Sequence, residues 1–345
     1  MNIGSRRIGS GEPIFVIAEA GVNHNGSLSM ALDMVKAAAR AGADAVKFQT
    51  FSAEALAAPG APKADYQHAG DAAADQFEML KALELNAQAH RELVGACADA
   101  GLIFLSTPFD EASADMLHDL GAPAFKVSSG DLTNLDLLRH VASKGRPMIV
   151  STGMGTLAET EAAVQAVRDA GCLDLALLHC VSNYPADPAD ANLRAMSTLG
   201  QAFGAPVGWS DHTLGFAVSW GAAAMGAQII EKHFTLDPSL PGPDQKLSLS
   251  PDALTAFVEG IRTVESALGD GRKRPTPAEI EMARFARRSL VARIDIPAGA
   301  VIDASMLAVR RPGTGLAPSA RVWVLGRKAA RDIAAGAVLS RDLLD

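Results

Sequence analysis

Short apolar runs alternate with amphipathic, alanine-rich segments along the first three quarters of the chain. The runs predict eight strands: Ile14–Ala18, Ala43–Phe48, Ile103–Leu105, Ala122–Val127, Met148–Val150, Leu175–Leu178, Pro206–Trp209 and Ala227–Ile230. The segments between and after them predict helices, among them Ser29–Ala41, Leu85–Ala100, Glu159–Ala170, Leu214–Met225 and Pro251–Leu268. Eight such pairs in about 250 residues are typical of a (β/α)8 TIM barrel. A doubly wound open sheet is the competing fold, but it has no obvious use for eight equivalent units.

The pattern changes after the last long helix. We predict a barrel domain over residues 1–268, a Gly- and Pro-rich linker over 269–284 and a small β-rich module over 285–345. Within this module Asp295–Ile302 reappears as Asp332–Leu339, which indicates an internal repeat of β units. Earlier in the chain, the connection from Ser52 to Asp75 is long for a loop between a strand and a helix, and we interpret it as a lid.

Composition excludes several classes of protein. The net charge is −8 and aromatic residues make up only 5%, which argues against a nucleic-acid surface. No apolar run approaches the length of a membrane span, so we predict no membrane partner and a cytoplasmic location. The three cysteines lie in apolar stretches without zinc-ligand spacing and are interpreted as reduced thiols.

Polar residues follow every predicted strand. In a TIM barrel the functional side chains lie at the carboxyl ends of the strands. Taken singly, each of these residues has an ordinary structural explanation, such as a half-buried ion pair, a helix cap or a core histidine. Their occurrence at all eight strand ends favours a site. The candidates are Glu19, Lys47, Gln49, Thr107, Lys126, Ser129, Asp131, Ser151, His179, Tyr184, Ser210, His212, Glu231 and His233.

These residue types support a specific chemistry. Lys47 and Lys126 supply two cations for a small phosphorylated carboxylate, and hydroxyl groups can bind its remaining oxygens. The hydroxyls are those of Thr107, Ser129, Ser151 and Ser210. His212 and His233 form a candidate metal site that leaves coordination positions for substrate and water. Glu19 can transfer a proton. A lysine that forms a Schiff base is the alternative chemistry.

Six motifs in this order resemble the sialic acid synthase family. They are Ile17–Gly26, Val46–Thr50, Ser106–Phe109, Ser151–Met154, Gly208–Thr213 and Glu231–Phe234, and Pro241–Asp244 adds to the match. The tail from about Ser289 resembles the antifreeze-like SAF domain of the same family. The resemblance covers nearly the whole chain and implies a TIM barrel followed by a SAF domain.

The resemblance implies an enzyme that condenses phosphoenolpyruvate (PEP) with an N-acylated mannosamine-type sugar and releases phosphate. It implies a divalent metal, Mn²⁺ or Mg²⁺, on His212 and His233, and a domain-swapped homodimer. PEP would be held by Lys47, Thr107, Lys126, Ser129, Ser151 and Ser210. The sugar would be held by Gln49, Asp131, Tyr184, Asp244 and Arg311, the last from the partner subunit. The implied catalytic residues are Glu19, Lys47, His212 and His233.

The product is left open between N-acetylneuraminate and N,N'-diacetyllegionaminate, whose precursors differ in the 4-substituent and the 6-hydroxyl. Pseudaminate fits the motifs less well. A Schiff-base aldolase on the same barrel and a non-enzymatic sugar- or ice-binding protein are the remaining alternatives.

Overall fold

Eight parallel strands form one sheet that curls into a nearly closed barrel. The structure is a computed structural model that describes residues 1–64, 73 and 75–345. The strands of the N-terminal unit are Asn2–Ile3 (β1), Arg6–Arg7 (β2), Phe15–Gly21 (β3), Ala45–Thr50 (β4), Ile103–Pro108 (β5), Phe125–Val127 (β6), Met148–Ser151 (β7), Leu175–Cys180 (β8), Val207–Asp211 (β9) and Ile229–His233 (β10). The order β5-β4-β3-β10-β9-β8-β7-β6, with β5 beside β6 at the seam, confirms the predicted barrel.

Helices cover the outside of the barrel. They are Leu28–Arg40 (α1), Ala53–Leu56 (α2), Gln76–Leu83 (α3), Ala87–Asp99 (α4), Glu111–Asp119 (α5), Leu135–Ala142 (α6), Leu157–Asp169 (α7), Arg194–Phe203 (α8), Ala217–Ala224 (α9) and Pro251–Leu268 (α10). Many begin at a side-chain cap, as α1 does at Ser27 and α7 at Thr156. Among the described residues, no helix is both long and apolar enough to cross a membrane.

Alternation along the strands divides the barrel interior into an apolar floor and a polar mouth. Successive side chains of a strand point to opposite faces, so every second residue enters the barrel. The floor is filled by buried apolar residues that form one cluster, including Ile3, Phe15, Ile17, Ala45, Leu105, Ala124, Ile149, Ala176, Leu178 and Ile229. One inward position further along, the strands carry Glu19, Lys47, Thr107, Lys126, Ser151, Cys180, Ser210 and Glu231. The polar site therefore lies directly above an apolar core.

The predicted strands have the right positions, but seven of the eight end too early. The first prediction stopped at Ala18, whereas β3 continues to Gly21, and the second stopped at Phe48, whereas β4 continues to Thr50. The prediction that ended at Val127 matches the end of β6. The side chains predicted to follow strands are therefore mostly on them, where backbone hydrogen bonds hold their direction.

The C-terminal unit, residues 270–345, is small and rich in β structure. Pro277–Ala286 (α11) precedes Ser289–Ala292 (β11) and Leu307–Arg310 (β12), which pair antiparallel, and Arg321–Val324 (α12) follows. The predicted repeat is symmetric in the structure. Asp295 accepts from the Ala335 backbone N–H at 2.7 Å, and Asp332 accepts from the Ala298 N–H at the same distance.

Two further predictions concern connections. The described contacts divide the chain between Gly269 and Asp270, and α11 occupies much of the segment predicted as a linker. The predicted lid over 52–75 includes the short helix α2, but residues 65–72 and 74 of it lie outside the described residues.

Candidate active site

A cavity of about 430 Å³ opens at the carboxyl ends of the barrel strands. It brings together most of the residues predicted from the sequence. Its lining includes Glu19, Lys47, Gln49, Thr107, Lys126, Ser129, Ser151, Tyr184, Ser210, His212, Glu231 and His233. Seven of the eight strands contribute at least one of these side chains, and the segment after β8 contributes Tyr184, which is the arrangement expected of a barrel enzyme.

The end of β3 is irregular where it enters the cavity. Glu19 pairs with Lys47 of β4, but the next register partner is Gly21, so Ala20 is bulged out of the ladder. Gly21 has a φ of +52°, a conformation that residues with a side chain rarely adopt. A Cβ there would lie 3.5 Å from His233, so glycine also keeps this part of the cavity open.

Two lysines and two glutamates form a buried cluster at the base of the cavity. The Lys47 ammonium lies 2.8 Å from Glu19 Oε1 and donates to Thr107 Oγ1 at 3.0 Å. Glu231 lies between the lysines, 3.7 Å from the Lys47 Nζ and 3.5 Å from the Lys126 Nζ. All four charged side chains are buried, so their charges interact strongly.

The two glutamates have opposite protonation preferences. Burial raises the pKa of Glu19 to about 7, although Lys47 opposes this effect. Burial would also raise the pKa of Glu231, but Lys126 and Lys47 together lower it to about 2. Burial lowers the pKa of Lys126, whereas Glu19 and Glu231 hold that of Lys47 above its usual value against the effect of burial. Near neutral pH the cluster thus carries a firmly ionised Glu231 and a Glu19 that can gain or lose a proton.

Hydroxyl groups surround the Lys126 side of the cavity. Ser129 Oγ accepts from the Gly153 backbone N–H at 3.0 Å and lies 3.0 Å from the Cys180 Sγ. The Ser151 hydroxyl is buried and has no hydrogen-bond partner among the described residues. A Cβ on Gly153 would lie 2.3 Å from Ser182 Oγ, so only glycine fits this cradle. An unpaired buried hydroxyl in such a space is suited to a polar ligand.

The two histidines lie on the opposite side, with ring centroids 5.7 Å apart. His212 Nδ1 lies 2.7 Å from the Val181 carbonyl, and its Nε2 lies 3.0 Å from the Tyr184 hydroxyl. The buried His233 Nδ1 lies 3.9 Å from Asp244 and has no hydrogen-bond partner in the part of the chain that the structure describes. Burial lowers the pKa of His212 to about 4 and that of His233 well below its usual value. Both imidazoles are therefore neutral, as metal ligands must be.

The donor set fits a metal that is only partly enclosed by protein. Among the described residues, no group of three or more His, Cys, Asp or Glu side chains could hold an ion. Two neutral imidazoles, one with an unpaired ring nitrogen, leave the other coordination positions to substrate and water.

A buried network holds the turn that carries His212. The Asp211 carboxylate accepts from the Thr213 N–H at 2.8 Å, from Ser219 Oγ at 2.6 Å and from Lys232 Nζ at 2.9 Å. Lys232 also donates to the Thr213 carbonyl. Because Asp211 precedes His212 and Lys232 precedes His233, this network fixes both histidine positions from outside the cavity.

Four predicted residues are not in the described lining of this cavity. Asp244 lies beside it, 3.9 Å from His233. Asp131 is not among the described residues that line the cavity, because its carboxylate accepts from Ser128 Oγ at 2.9 Å. Arg311 belongs to the C-terminal unit, where its Nε donates to the Ala286 carbonyl. His179 faces away from the cavity and lies 2.9 Å from the Ala191 carbonyl through Nε2.

No role for Glu231 was predicted from the sequence, although its carboxylate lies within 4 Å of both lysines. Its position two residues before His233 on one strand could have revealed it, because residues with that spacing point to the same face. Ser182, a polar residue that follows the sixth predicted strand, also lines the cavity, and Gly153, to which no role was given, lies against it.

The barrel and its cavity define an enzyme with its site at the carboxyl ends of the strands. A sequence model of the NeuB family matches residues 34–273, and one of the SAF domain matches residues 287–345. The chain therefore belongs to the NeuB family and carries a C-terminal SAF domain, which confirms the resemblance seen in the motifs.

Named relatives match along nearly their whole length. The chain is 46% identical to the N,N'-diacetyllegionaminic acid synthase of Legionella pneumophila, over 96% of this chain and 94% of that protein. It is 35% identical to a pseudaminic acid synthase of Campylobacter jejuni, over 95% and 96% respectively. Among solved structures, the N-acetylneuraminic acid synthetase of Leptospira borgpetersenii, in complex with citrate, has a TM-score of 0.74 at 34% identity and covers 82% of this chain and 94% of its own.

Proposed function

We propose that this protein is a nonulosonic acid synthase that condenses PEP with the open-chain form of an N-acylated mannosamine-type sugar. The products would be a 2-keto acid of the sialic or legionaminic type and phosphate. The observation that carries the proposal is the buried cluster of Lys47, Lys126 and Glu231 beside two neutral histidines in one cavity. The activities for which the relatives are named support the same class of reaction.

PEP would bind at the lysine side of the cavity. Its phosphate and carboxylate would accept from Lys47 and Lys126, and the unpaired Ser151 hydroxyl would donate to it. Glu231 keeps both lysines in place before the anion arrives, because it lies within 4 Å of each. A preorganised pair of cations needs little rearrangement when PEP binds.

Glu19 would transfer the proton in the reaction. Carbon 3 of PEP attacks the sugar aldehyde, water adds at carbon 2, and the carbon–oxygen bond to phosphate then breaks. Adding water releases a proton, and the departing phosphate or the new hydroxyl can take one. A carboxyl group with a pKa of about 7 is suited to this exchange at neutral pH.

The sugar would bind on the histidine side. His212 and His233 would hold a divalent metal, Mn²⁺ or Mg²⁺, which when bound would polarise the aldehyde. Tyr184 lies against His212 with ring centroids 4.1 Å apart, and Gln49 and Asp244 lie close to His233. These three side chains would orient the hydroxyl and acylamino groups of the sugar.

Phosphate release from PEP tests the proposal. Purified protein is incubated with PEP, Mn²⁺ and either N-acetylmannosamine or 2,4-diacetamido-2,4,6-trideoxymannose. We expect sugar-dependent phosphate release that stops with EDTA and returns with Mn²⁺. No release with either sugar, from folded and metal-loaded protein, would refute the proposed function.

A Schiff-base aldolase is the second candidate, because burial lowers the pKa of Lys126 and thereby favours its neutral, nucleophilic form. Borohydride added with a keto substrate would then attach that substrate covalently to Lys126. Peptide mapping of the treated protein distinguishes the two mechanisms. For the synthase we expect no adduct.

We also propose that Arg311 acts from the partner subunit of a domain-swapped dimer. This rests on the family resemblance and on the small size of the C-terminal unit, which has few residues with which to form its own core.

A further inference from the structure

A second cavity, of about 270 Å³, opens from the side of the active site. The two cavities share a mouth, because the same residues line both. The shared residues are Gln49, Gln76, Phe109, Tyr184 and His233. A ligand whose reactive end lies beside His233 could therefore extend directly into this side cavity.

The described residues that line the side cavity but not the active site are mostly apolar. They are Val22, Leu56, Met79, Leu80, Leu83 and Pro243, with the acidic Asp244 beside them. Four neighbouring residues, Val22, Phe51, Met79 and Leu83, form a separate buried apolar cluster outside the barrel core, with Leu56, Leu80 and Phe109 packed against it. Of its described polar residues, Gln49, Gln76, Tyr184 and His233 belong to the shared mouth, and Asp244 lies 3.9 Å from His233.

Two short helices between β4 and α4, rather than barrel strands, supply four of these apolar residues. Leu56 ends α2, and Met79, Leu80 and Leu83 belong to α3. A wall that does not belong to the barrel can differ between synthases without disturbing the bound PEP. It is therefore a suitable place for acceptor specificity.

We infer that the side cavity binds the end of the acceptor distant from its aldehyde and selects a sugar that carries a methyl group and a second N-acyl group there. The inference rests on the proposed function. A hydroxyl group placed against Leu80 and Leu83 would lose its water and gain no hydrogen bond from these two side chains. A methyl or acetyl group is stabilised there by burial of apolar surface. The amide of an acylamino group can still reach Gln49 or Gln76 at the mouth.

The lining of the side cavity discriminates between the acceptor sugars of the two possible products. N-acetylmannosamine has hydroxyls at carbons 4 and 6, whereas 2,4-diacetamido-2,4,6-trideoxymannose has an acetamido group and a methyl group there. The side cavity favours the second sugar. Since one apolar group in a fitted pocket changes kcat/KM by about 10- to 200-fold, we expect a preference of at least about tenfold.

The test measures kcat/KM for both sugars at saturating PEP and Mn²⁺, for the wild-type protein and for Leu80→Gln. Leu80 is only partly buried, so the variant can fold, and Leu56→Gln is a second variant at another partly buried wall position. We expect Leu80→Gln to reduce the preference by about tenfold and to leave the KM for PEP unchanged. Leu135→Gln, at a partly buried position of α6 away from both cavities, is the matched control and should keep the wild-type preference.

Each outcome has a separate meaning. If the wild type prefers N-acetylmannosamine, or if neither wall variant alters the ratio while PEP is still consumed, the inference is wrong and the proposed function stands. If neither sugar supports phosphate release, the proposed function fails and the inference fails with it.

Discussion

Replacing His24 should reduce the loss of unfolding free energy that the protein shows when the pH falls from neutral to acidic values. His24 follows β3 and is fully buried. Its Nδ1 accepts from the Gly26 backbone N–H at 3.1 Å, and its Nε2 has no hydrogen-bond partner among the described residues. A protonated ring would lose the first contact and bury an unpaired charge. Burial accordingly lowers the pKa of His24 to about 4.

The magnitude follows from proton linkage. In the unfolded chain the pKa is near 6.5, so between pH 6.5 and about 4 the unfolded state binds the proton and the folded state does not. The stability that His24 contributes is complete above pH 6.5 and falls as the pH drops through this window. Each pKa unit corresponds to about 1.4 kcal/mol, so the full loss is about 3 kcal/mol, of which about 2 kcal/mol is lost by pH 5.

His24→Asn is the informative variant, because its Oδ1 can accept from Gly26 in place of the ring nitrogen. Urea unfolding is followed by tryptophan fluorescence at pH 7.5 and pH 5 in a Trp323→Phe background, which leaves Trp209 and Trp220 of the barrel unit as reporters. The other histidines titrate in both proteins and cancel in the difference. From pH 7.5 to pH 5, the wild type should lose about 2 kcal/mol more than the variant. If the difference in unfolding free energy between the two proteins changes by less than about 0.5 kcal/mol from pH 7.5 to pH 5, the reasoning is refuted.

Three further predictions concern the active site. Glu19→Gln should lower kcat by about 10²- to 10⁴-fold with a smaller change in KM, measured by phosphate release, and an unchanged kcat would exclude Glu19 from proton transfer. Gly153→Ala should raise the KM for PEP about tenfold (about 1.4 kcal/mol), because its Cβ would lie 2.8 Å from Ser129 Oγ, and an unchanged KM would place PEP elsewhere. If Arg311 acts in trans, the Arg311→Ala and His233→Ala proteins should each be inactive but should regain activity when they are refolded together in equal amounts. Half of the dimers would then be mixed, and each mixed dimer would have one complete site of its two. The expected activity is therefore about a quarter of that of the wild type. Mixtures that stay inactive would contradict the exchange.

Glu231 illustrates why the candidate site could be predicted only in part. Its two cationic partners come from β4 and β6, and its hydroxyl donor, Ser210, comes from β9. These residues are far apart in the sequence, and only the curvature of the sheet places Lys47 and Lys126 on either side of one carboxylate. The two lysines were predicted from their positions at strand ends, but their charge balance was not.

Asp131 shows the opposite limitation. Its distance from Lys126 along the chain placed it at a strand end, together with the residues that do line the cavity. The backbone instead forms a short 3-10 turn at Ser129–Asp131, in which the carboxylate is within hydrogen-bonding distance of Ser128 and Asn134. Local turn geometry, rather than chain position, decides which side chain of such a loop enters a cavity.

The barrel, its eight units, the C-terminal repeat and the residue types of the site could all be predicted from the sequence, because they follow from local periodicity and from the alternation of side chains along strands. How the charges combine depends on the packing of the chain in three dimensions. This packing buried Glu19 and Glu231 at nearly the same depth, yet gave them opposite pKa shifts through their distances to the two lysines. It also joined the leucines of α3 to the active site as an apolar side cavity. Burial and distance in space are properties of the packed chain, and no local pattern encodes them.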